Sequence, residues 1–301
     1  MNKNIRFFGS IPAIITPFKK NGGLDLSSLK KFVEFQIEGG IDAIVPCGST
    51  GEAATMDEKE YQIVIETVVK QVNGRIPVIA GAGSNDTKKA IRFSQIAKKA
   101  GANALLHVTP FYNKPTPNGL VAHFKAIADL VGLPIVIYNV PGRTGSNVSP
   151  AVIIRIAREV PLVKAVKEAS GSIIQMMEII KLATTEGPKD FSVLSGDDAF
   201  TLPLIAAGGH GCISVVCNEI PKEFSDMVHA ALAGNWGKAK TLHYQLWNLM
   251  NINFIESNPI PVKSALSLMG KIELGLRLPL VPLEAKNEEA LKKVLKNLKL
   301  I

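Results

Sequence analysis

Lys167 is the residue of this sequence that most invites a chemical interpretation. It ends the alternating positions of a strand-like segment, residues 162–170, in which Val163 and Ala165 share its side. Lysine is rarely fully buried unless it is paired, so the side chain either points to water or is held in a pocket for chemistry. The segment alone favours neither interpretation.

A lysine held among apolar residues would suit imine chemistry. The pKa of an unperturbed lysine is about 10.4, and neighbours such as Val163 and Ala165 would disfavour the ammonium and expose a nucleophilic amine. The protonated imine formed with a carbonyl substrate would then favour loss of an adjacent proton. Tyr138, which lies near the end of another apolar segment, could shuttle protons while the imine forms and is released.

Three further segments carry candidate site residues just after apolar runs. Residues 48–52, Gly-Ser-Thr-Gly-Glu, place two hydroxyls side by side in a turn whose N–H groups could hold a carboxylate. Tyr138 is followed by a Pro-Gly turn and Arg143, which can bind a carboxylate through two parallel hydrogen bonds. Residues 109–115 carry two aromatic rings. The structural alternatives are an ordinary turn, a core tyrosine with a surface arginine, and simple packing of the two rings.

Candidate metal ligands do not form a convincing site. The three cysteines give no disulfide framework and fit a reducing compartment. The spacing of His210, Cys212 and Cys217 matches no standard zinc pattern. Asp197 and Asp198 fall on opposite faces of an extended segment and would make a poor single-metal site. We therefore expect no metal, and the sequence leaves the role of Asp197 open, as it does that of Glu52.

Eight short apolar segments would position these residues, with helical patterns between most of them. This alternation predicts parallel strands, and continuous apolar content fits a sheet covered on both faces. Eight units predict a (β/α)₈ TIM barrel, whose chemistry lies at the C-terminal strand ends. A doubly wound sheet is the alternative, but no Gly-x-Gly-x-x-Gly follows the first segment. The predicted strands are residues 11–16, 43–46, 77–80, 104–109, 134–139, 163–167, 191–195 and 212–216.

Additional C-terminal helices follow the predicted barrel. We expect residues 1–220 to form the barrel core with the active site, and residues 221–301 to form a helical extension packed on it. Helices are predicted over 224–232, 239–249 and 262–268, and a last one has an apolar stripe from Leu291 to Leu298 opposite lysines. Such a basic helix can bind membranes, but docking on the protein is far commoner. The spacing of Thr55 and Glu58 predicts a capping box at the start of an earlier helix.

Composition narrows the class of protein. With 301 residues, 47% hydrophobic and 20% charged, the chain can bury a large core. A net charge of +8 would fit nucleic-acid binding, but the basic residues are scattered and only 6% of residues are aromatic. Anionic small molecules are the expected partners, with no nucleic acid. There is no signal-peptide apolar region and no apolar run of membrane-spanning length, so we expect a cytoplasmic protein without a membrane partner.

These motifs together resemble the dihydrodipicolinate synthase family. The resemblance runs in order from about Gly9 to Leu268, without a large insertion. Six motifs carry the resemblance to this family and its wider superfamily: residues 48–52, 138–144, 167–170, 195–198, 208–214 and 258–263. It implies a homotetrameric barrel, a dimer of dimers, that acts as a carbon–oxygen lyase. Such an enzyme condenses pyruvate with L-aspartate 4-semialdehyde to 4-hydroxy-tetrahydrodipicolinate in lysine and diaminopimelate biosynthesis.

The resemblance also implies catalytic residues. Lys167 would form the imine with pyruvate, with no other cofactor, and Tyr138 would donate and accept protons. Ser49 and Tyr112 would complete the proton relay, with Tyr112 reaching in from a neighbouring subunit.

Substrate-binding residues follow from the same resemblance. Thr50 and the backbone of Ile213 would hold pyruvate. Arg143 would meet the carboxylate of the aldehyde substrate, and Gly196 would line the pocket through its carbonyl.

Two alternative functions stay open. N-acetylneuraminate lyase and keto-deoxy sugar acid aldolases use the same lysine imine but usually lack the Pro-Gly-Arg turn, so Arg143 favours the synthase. Ser49 stands where synthases usually have threonine and where lyases often have serine. A non-catalytic ligand-binding barrel is the other alternative, and the joint presence of the relay residues and Lys167 argues against it.

A second difference from the family concerns regulation. In lysine-inhibited members, an effector site between subunits uses histidines, a glutamate and a tyrosine. The matching positions here hold Glu58, Tyr61, Lys89 and Phe111, and Asn85 is kept. Because Lys89 would place a cation near the ammonium groups of lysine, we expect feedback inhibition by lysine to be weak or absent.

Overall fold

Parallel strands form the centre of the molecule. The computed structural model describes residues 5–301, and seven strands in this range form one curled sheet with the order β1-β7-β6-β5-β4-β3-β2. Each pair of neighbouring strands is parallel. The strands are β1 (Gly9–Pro12), β2 (Ile79–Gly81), β3 (Ala104–Val108), β4 (Ile135–Asn139), β5 (Val163–Glu168), β6 (Ser192–Ser195) and β7 (Gly211–Ser214).

Residues 43–46, predicted as the second strand, close the ring between β1 and β2. Val45 donates its N–H to the carbonyl of Pro12, while the carbonyl of Ile44 accepts from Ile79, both at 2.9 Å. Single parallel bridges therefore replace a regular strand, and the prediction of a full strand here was wrong. Pro46 lacks an N–H, and Cys47 has a left-handed backbone with φ of 56°, so the extended segment ends early.

Helices cover the outside of the ring. In the described residues they are α1 (Leu26–Glu38), α2 (Glu58–Val72), α3 (Thr87–Lys99), α4 (Pro117–Val131), α5 (Pro141–Thr144), α6 (Pro150–Glu159), α7 (Ile173–Thr185), α8 (Thr201–Ala206), α9 (Pro221–Leu232), α10 (Trp236–Ile252), α11 (Ile260–Leu268) and α12 (Ala285–Asn297), with 3₁₀ turns at Ala53–Thr55 and Val216–Asn218. The predicted C-terminal helices are confirmed, and α9, α10 and α11 each begin two or three residues earlier than expected. No helix within residues 5–301 has both the length and the apolar content needed to cross a membrane.

The start of α2 differs from the sequence prediction. The capping box is formed by Asp57, whose side chain accepts from the N–H of Glu60, and by Glu60, whose side chain accepts from the N–H of Asp57. Thr55 instead ends a 3₁₀ turn and donates its hydroxyl to the carbonyl of Glu52. The predicted pair of Thr55 and Glu58 was therefore wrong by two residues, because the preceding turn continues to Thr55.

Two apolar layers hold the barrel together. Side chains from the strands fill its interior, among them Ile11, Leu106 and Val136, and the alternate strand residues pack beneath the helices. Burying each such side chain contributes roughly 1.5–3 kcal/mol. The interior is therefore a packed core that leaves room for a site only at the ends of the strands.

The C-terminal helices pack onto this barrel. Leu291 and Leu295 of α12 are fully buried, as expected for a docked amphipathic helix. The helix α9 packs against both β1 and α10, so it connects the barrel with the C-terminal helices. The division into a barrel of residues 1–220 and an extension of residues 221–301 is our proposal for the domain organisation.

Candidate active site

Lys167 and Tyr138 lie side by side at the C-terminal ends of adjacent strands. They are paired residues in the parallel register of β4 and β5. The Nζ atom of Lys167 lies 4.3 Å from the centroid of the Tyr138 ring, and the Lys167 side chain is 5% exposed. Among the salt bridges of residues 5–301, none involves Lys167. The amine is therefore buried beside a phenol, without a carboxylate partner in the described chain.

A cavity of about 750 Å³ opens above this pair. Six of the eight residues predicted to form the site line it: Ser49, Thr50, Tyr138, Arg143, Lys167 and Gly196. Their segments follow different strands of the ring, and the parallel sheet brings them to one rim. The cavity is large enough for a small organic acid together with a second substrate.

Ile213 and Tyr112 do not line this cavity. The side chain of Ile213 is buried in the barrel interior, so its predicted contribution would come from the backbone. Tyr112 is 89% exposed and has a left-handed backbone with φ of 69°. The neighbouring ring of Phe111 faces the cavity in its place. Tyr112 is therefore turned away from the site of its own subunit.

The turn over residues 48–52 is tightly folded. Gly51 donates its N–H to the carbonyl of Gly48, and Glu52 donates to the carbonyl of Ser49, both at 3.1 Å. A side chain at Gly51 would come within 3.1 Å of the carbonyl of Ile14. The glycine therefore allows the turn to pack against the barrel, and this placement brings two hydroxyls to the rim.

Asn258 connects two of the predicted binding residues. Its Nδ2 donates to Oγ1 of Thr50 at 2.9 Å, and its backbone carbonyl accepts from Nη2 of Arg143 at 3.1 Å. Its Oδ1 is buried without a hydrogen-bond partner in the described structure, and the residue lines the cavity. Asn258 belonged to a motif of the sequence resemblance but was not predicted as a site residue. Only the folded chain shows that it returns to the turn near residue 50.

Position 196 requires a glycine because its backbone lies close to the side chain of Lys167. A Cβ atom at this position would lie 3.0 Å from both Cγ and Cε of Lys167 and 2.7 Å from Cβ of Ala169. Such distances are well below ordinary van der Waals contact. The glycine after β6 therefore leaves the space that the stem of Lys167 occupies.

The sequence suggests that Lys164 and Glu168, which flank the candidate nucleophile, are ordinary charged residues, and for Glu168 this interpretation was wrong. Glu168 is fully buried and accepts hydrogen bonds from Nδ2 of Asn139 at 2.9 Å and from the N–H of Ser170 at 2.7 Å. Both faces of a strand are buried in a covered parallel sheet. The side of β5 that carries Glu168 is therefore not exposed to solvent. Lys164 matches the expectation, since its amine binds Asp190 near the surface.

Asp198 is a structural acid next to the site. Its carboxylate accepts from the N–H groups of Val215, at 3.2 Å, and Val216, at 2.9 Å, where the chain leaves β7. Burial raises its pKa to about 6, while hydrogen bonds to Ser214 and to these N–H groups act in the opposite sense. Asp197 lines the cavity, and burial also raises the pKa of its carboxyl. Asp198 thus fixes the segment after Ile213.

The residues considered for zinc have separate partners. Cys217 lies 3.4 Å from the hydroxyl of Ser10, Cys212 lies 3.7 Å from Asp198, and Nδ1 of His210 accepts from the N–H of Val193. Within residues 5–301, no group of three or more His, Cys, Asp or Glu side chains is arranged to hold a metal.

Comparison with a family sequence model shows which family the chain belongs to. The sequence model of the Dihydrodipicolinate synthetase family matches residues 6–298. The chain belongs to this family. The resemblance seen in the motifs is confirmed, and the match extends to α12, beyond the last motif.

Known members of the dihydrodipicolinate synthetase family match over almost the whole chain. The 4-hydroxy-tetrahydrodipicolinate synthase of Citrifermentans bemidjiense is 53% identical over 295 residues, which are 98% of this chain and 100% of that relative. The crystal structure of dihydrodipicolinate synthase from Thermotoga maritima has a TM-score of 0.96 and 46% identity, and covers 99% of this chain and 100% of that one. A structure described as a monomeric dihydrodipicolinate synthase variant has a TM-score of 0.95 and 46% identity, with 98% of both chains covered. The predicted barrel fold is confirmed.

Four of the five residues that the resemblance matched to an effector site line the same cavity: Tyr61, Asn85, Lys89 and Phe111. The hydroxyl of Tyr61 donates to the carbonyl of Gly81 at 2.9 Å. We expect millimolar lysine to leave the initial rate unchanged, because the Lys89 ammonium would repel the charged amines of lysine. Initial rates measured with and without lysine test this. Inhibition by sub-millimolar lysine would contradict it.

Proposed function

We propose that this member of the dihydrodipicolinate synthetase family condenses pyruvate with L-aspartate 4-semialdehyde to 4-hydroxy-tetrahydrodipicolinate, a step of lysine and diaminopimelate biosynthesis. The register of β4 and β5 carries the proposal, because it places the amine of Lys167 against the ring of Tyr138. The lining of the cavity by Ser49, Thr50 and Arg143 adds hydroxyls and a carboxylate-binding cation.

In the first half of the proposed reaction, Lys167 attacks pyruvate. The amine nitrogen bonds to the carbonyl carbon, and the carbonyl oxygen leaves as water after it has accepted two protons. Tyr138 would carry these protons together with Ser49. Thr50 would hold the pyruvate carboxylate, with its hydroxyl oriented by the hydrogen bond from Asn258. No cofactor other than this covalent imine enters the proposal.

In the second half, the imine becomes a carbon nucleophile. Loss of a methyl proton gives an enamine, whose carbon bonds to the aldehyde carbon of the second substrate. The aldehyde oxygen takes up a proton and becomes the hydroxyl of the product, and the imine with Lys167 is restored. The amino group of that substrate then attacks the imine carbon and displaces the nitrogen of Lys167, which closes the ring and frees the enzyme. Arg143 would bind the second substrate's carboxylate, since its guanidinium is held at the rim by the carbonyl of Asn258.

Replacement of Arg143 tests which aldehyde is used. We expect Arg143→Met to reduce kcat/KM for L-aspartate 4-semialdehyde about 10- to 100-fold, because charge-assisted hydrogen bonds to the carboxylate are lost. The KM for pyruvate should change little. Coupled assays with each substrate varied in turn measure both values, and Arg155→Met, on the surface of α6, serves as the matched control.

The same assays separate the alternative functions. The wild-type enzyme should turn over L-aspartate 4-semialdehyde with pyruvate and give no comparable rate with N-acetylmannosamine. High activity with N-acetylmannosamine alone would favour the sugar-acid lyase. Absence of activity with every aldehyde would favour a binding barrel.

We also propose that Tyr112 completes the relay of a neighbouring subunit. Its 89% exposure and its direction away from the local cavity support a role across an interface. A further interface would suit the exposed apolar side chains of two helices. They are Ile174 and Met177 on α7, and Tyr244 and Trp247 on α10. A homotetramer built as a dimer of dimers uses both surfaces. A cytoplasmic location completes the proposal.

Hybrid oligomers test the position of Tyr112. Tyr112→Phe and Lys167→Met subunits, each impaired alone, should recover about a quarter of wild-type activity when they pair at random, since one site of each mixed dimer then has both native residues. Coexpression of the two kinds of subunit in equal amounts, without separation of the mixed from the unmixed oligomers, provides the sample. Mixed oligomers that stay as impaired as the parents would show that Tyr112 acts within its own subunit.

A further inference from the structure

Glu52 and Lys263 form an ion pair that is buried on both sides. Their side chains are 1% and 0% exposed, and Nζ of Lys263 lies 2.5 Å from Oε1 of Glu52. The amine also donates to the carbonyl of Thr16 at 3.0 Å and lies 4.5 Å from the centroid of the Phe18 ring. Apolar residues of similar size often serve stability as well as a buried ion pair does. Stability alone therefore does not account for a buried ion pair at this position.

Glu52 is part of the turn that carries the hydroxyls of the site. It has a left-handed backbone with φ of 54°, which is unfavourable for a residue with a side chain. Its N–H closes the turn on the carbonyl of Ser49, and its own carbonyl accepts from the hydroxyl of Thr55. Whatever anchors the Glu52 side chain therefore also holds Ser49 and Thr50 in place.

The anchor comes from the C-terminal part of the chain. Lys263 lies on α11, and Asn258, which binds Thr50, precedes this helix by two residues. The N–H of Arg277 donates to the second carboxylate oxygen of Glu52 at 3.2 Å. The side chain of Arg277 in turn binds Glu60 at the start of α2. Residues 258–277 therefore contact the turn through both Thr50 and Glu52.

We propose that Glu52 and Lys263 are a positioning pair that sets the pyruvate-binding turn in its working geometry. The inference rests on the proposed function, because it assigns the turn to pyruvate. Glu52 borders the cavity, but its two carboxylate oxygens are bound by Lys263 and by the N–H of Arg277. The pair therefore acts through Ser49 and Thr50 and not on the substrate. Its loss should weaken pyruvate binding and leave the binding of the aldehyde to Arg143 largely unchanged.

The double variant Glu52→Gln/Lys263→Met tests this without leaving an unpaired buried charge. Gln and Met keep the approximate volume of the native side chains but remove the ion pair. We expect the pyruvate concentration that gives half-maximal borohydride trapping to rise about tenfold, the factor that a lost positioning hydrogen bond commonly costs. The KM for the aldehyde should stay within about twofold. The matched control is Lys164→Met/Asp190→Asn, which removes the surface ion pair between Lys164 of β5 and Asp190.

The amount trapped at saturating pyruvate measures how many sites are folded and competent. Because the half-maximal concentration is read relative to that plateau, partial unfolding of the sample does not alter it. A second variant, Glu52→Asp, retracts the carboxylate by one methylene and should also raise that concentration. An unchanged half-maximal concentration in either folded variant would overturn the inference while wild-type trapping still supports the proposed function. A wild-type enzyme that is not trapped at all would instead overturn the proposed function, and the inference with it.

Discussion

Replacing Lys167 with methionine is expected to reduce turnover at least about 1,000-fold, because the nucleophile for imine formation is removed. Methionine fills a similar volume among the apolar residues of the barrel mouth, so the fold should be kept. Steady-state rates at saturating pyruvate and aldehyde measure the loss. Circular dichroism and the thermal midpoint check that the variant is folded.

Lys164→Met is the matched control for this change. Lys164 lies on the same strand, but its amine binds Asp190 near the surface and takes no part in the cavity. Its replacement should leave turnover within about twofold, since surface ion pairs contribute little. A Lys167→Met enzyme that retains more than about a tenth of wild-type turnover would contradict the assignment of Lys167 as the nucleophile.

Replacing Gly196 with alanine is expected to lower turnover about 100-fold, because a displacement of about 1 Å at a reacting group can cost this much. The added methyl would lie 3.0 Å from Cε of Lys167, so the lysine stem has to move. Both turnover and the rate of borohydride trapping at saturating pyruvate should fall together. Single-turnover trapping measures the step in which Lys167 takes part.

Two further variants separate the contact with Lys167 from the other clash. Gly196→Ala/Ala169→Gly relieves the 2.7 Å contact with Ala169 but keeps both contacts with Lys167, and should stay impaired. Gly237→Ala on α10 is the control, because a Cβ there would come no closer than 4.0 Å to any side chain of residues 5–301. Full activity in the Gly196→Ala enzyme would show that Lys167 does not need the position it occupies in this structure.

The sequence predicts the barrel and the shared cavity for a common physical reason. Apolar strand segments of similar length alternate with helices, so parallel register places their C-terminal ends on one rim. Lys167, Tyr138 and Arg143 could therefore be assigned to one site from the sequence. The same regularity predicted residues 43–46 as a strand, although Pro46 and the left-handed Cys47 end that segment early.

Other features depend on contacts between distant parts of the chain. Glu168 alternates with Lys167 along β5, and only the helices outside the strand make its side fully buried. Asn258 and Lys263 meet the turn at residues 50–52 across more than 200 positions of sequence. Neither composition nor spacing indicates such a contact, since it depends on how the last helices fold back over the barrel.

Borohydride reduction in the presence of pyruvate tests the central claim most directly. Reduction converts a pyruvate imine into a stable secondary amine, and peptide mass analysis then locates it. We expect pyruvate-dependent labelling on the peptide that contains Lys167, with loss of activity in proportion to the label, and no labelling of that peptide in Lys167→Met. Absence of label on Lys167 in the active wild-type enzyme, or label on another lysine, would contradict the imine mechanism.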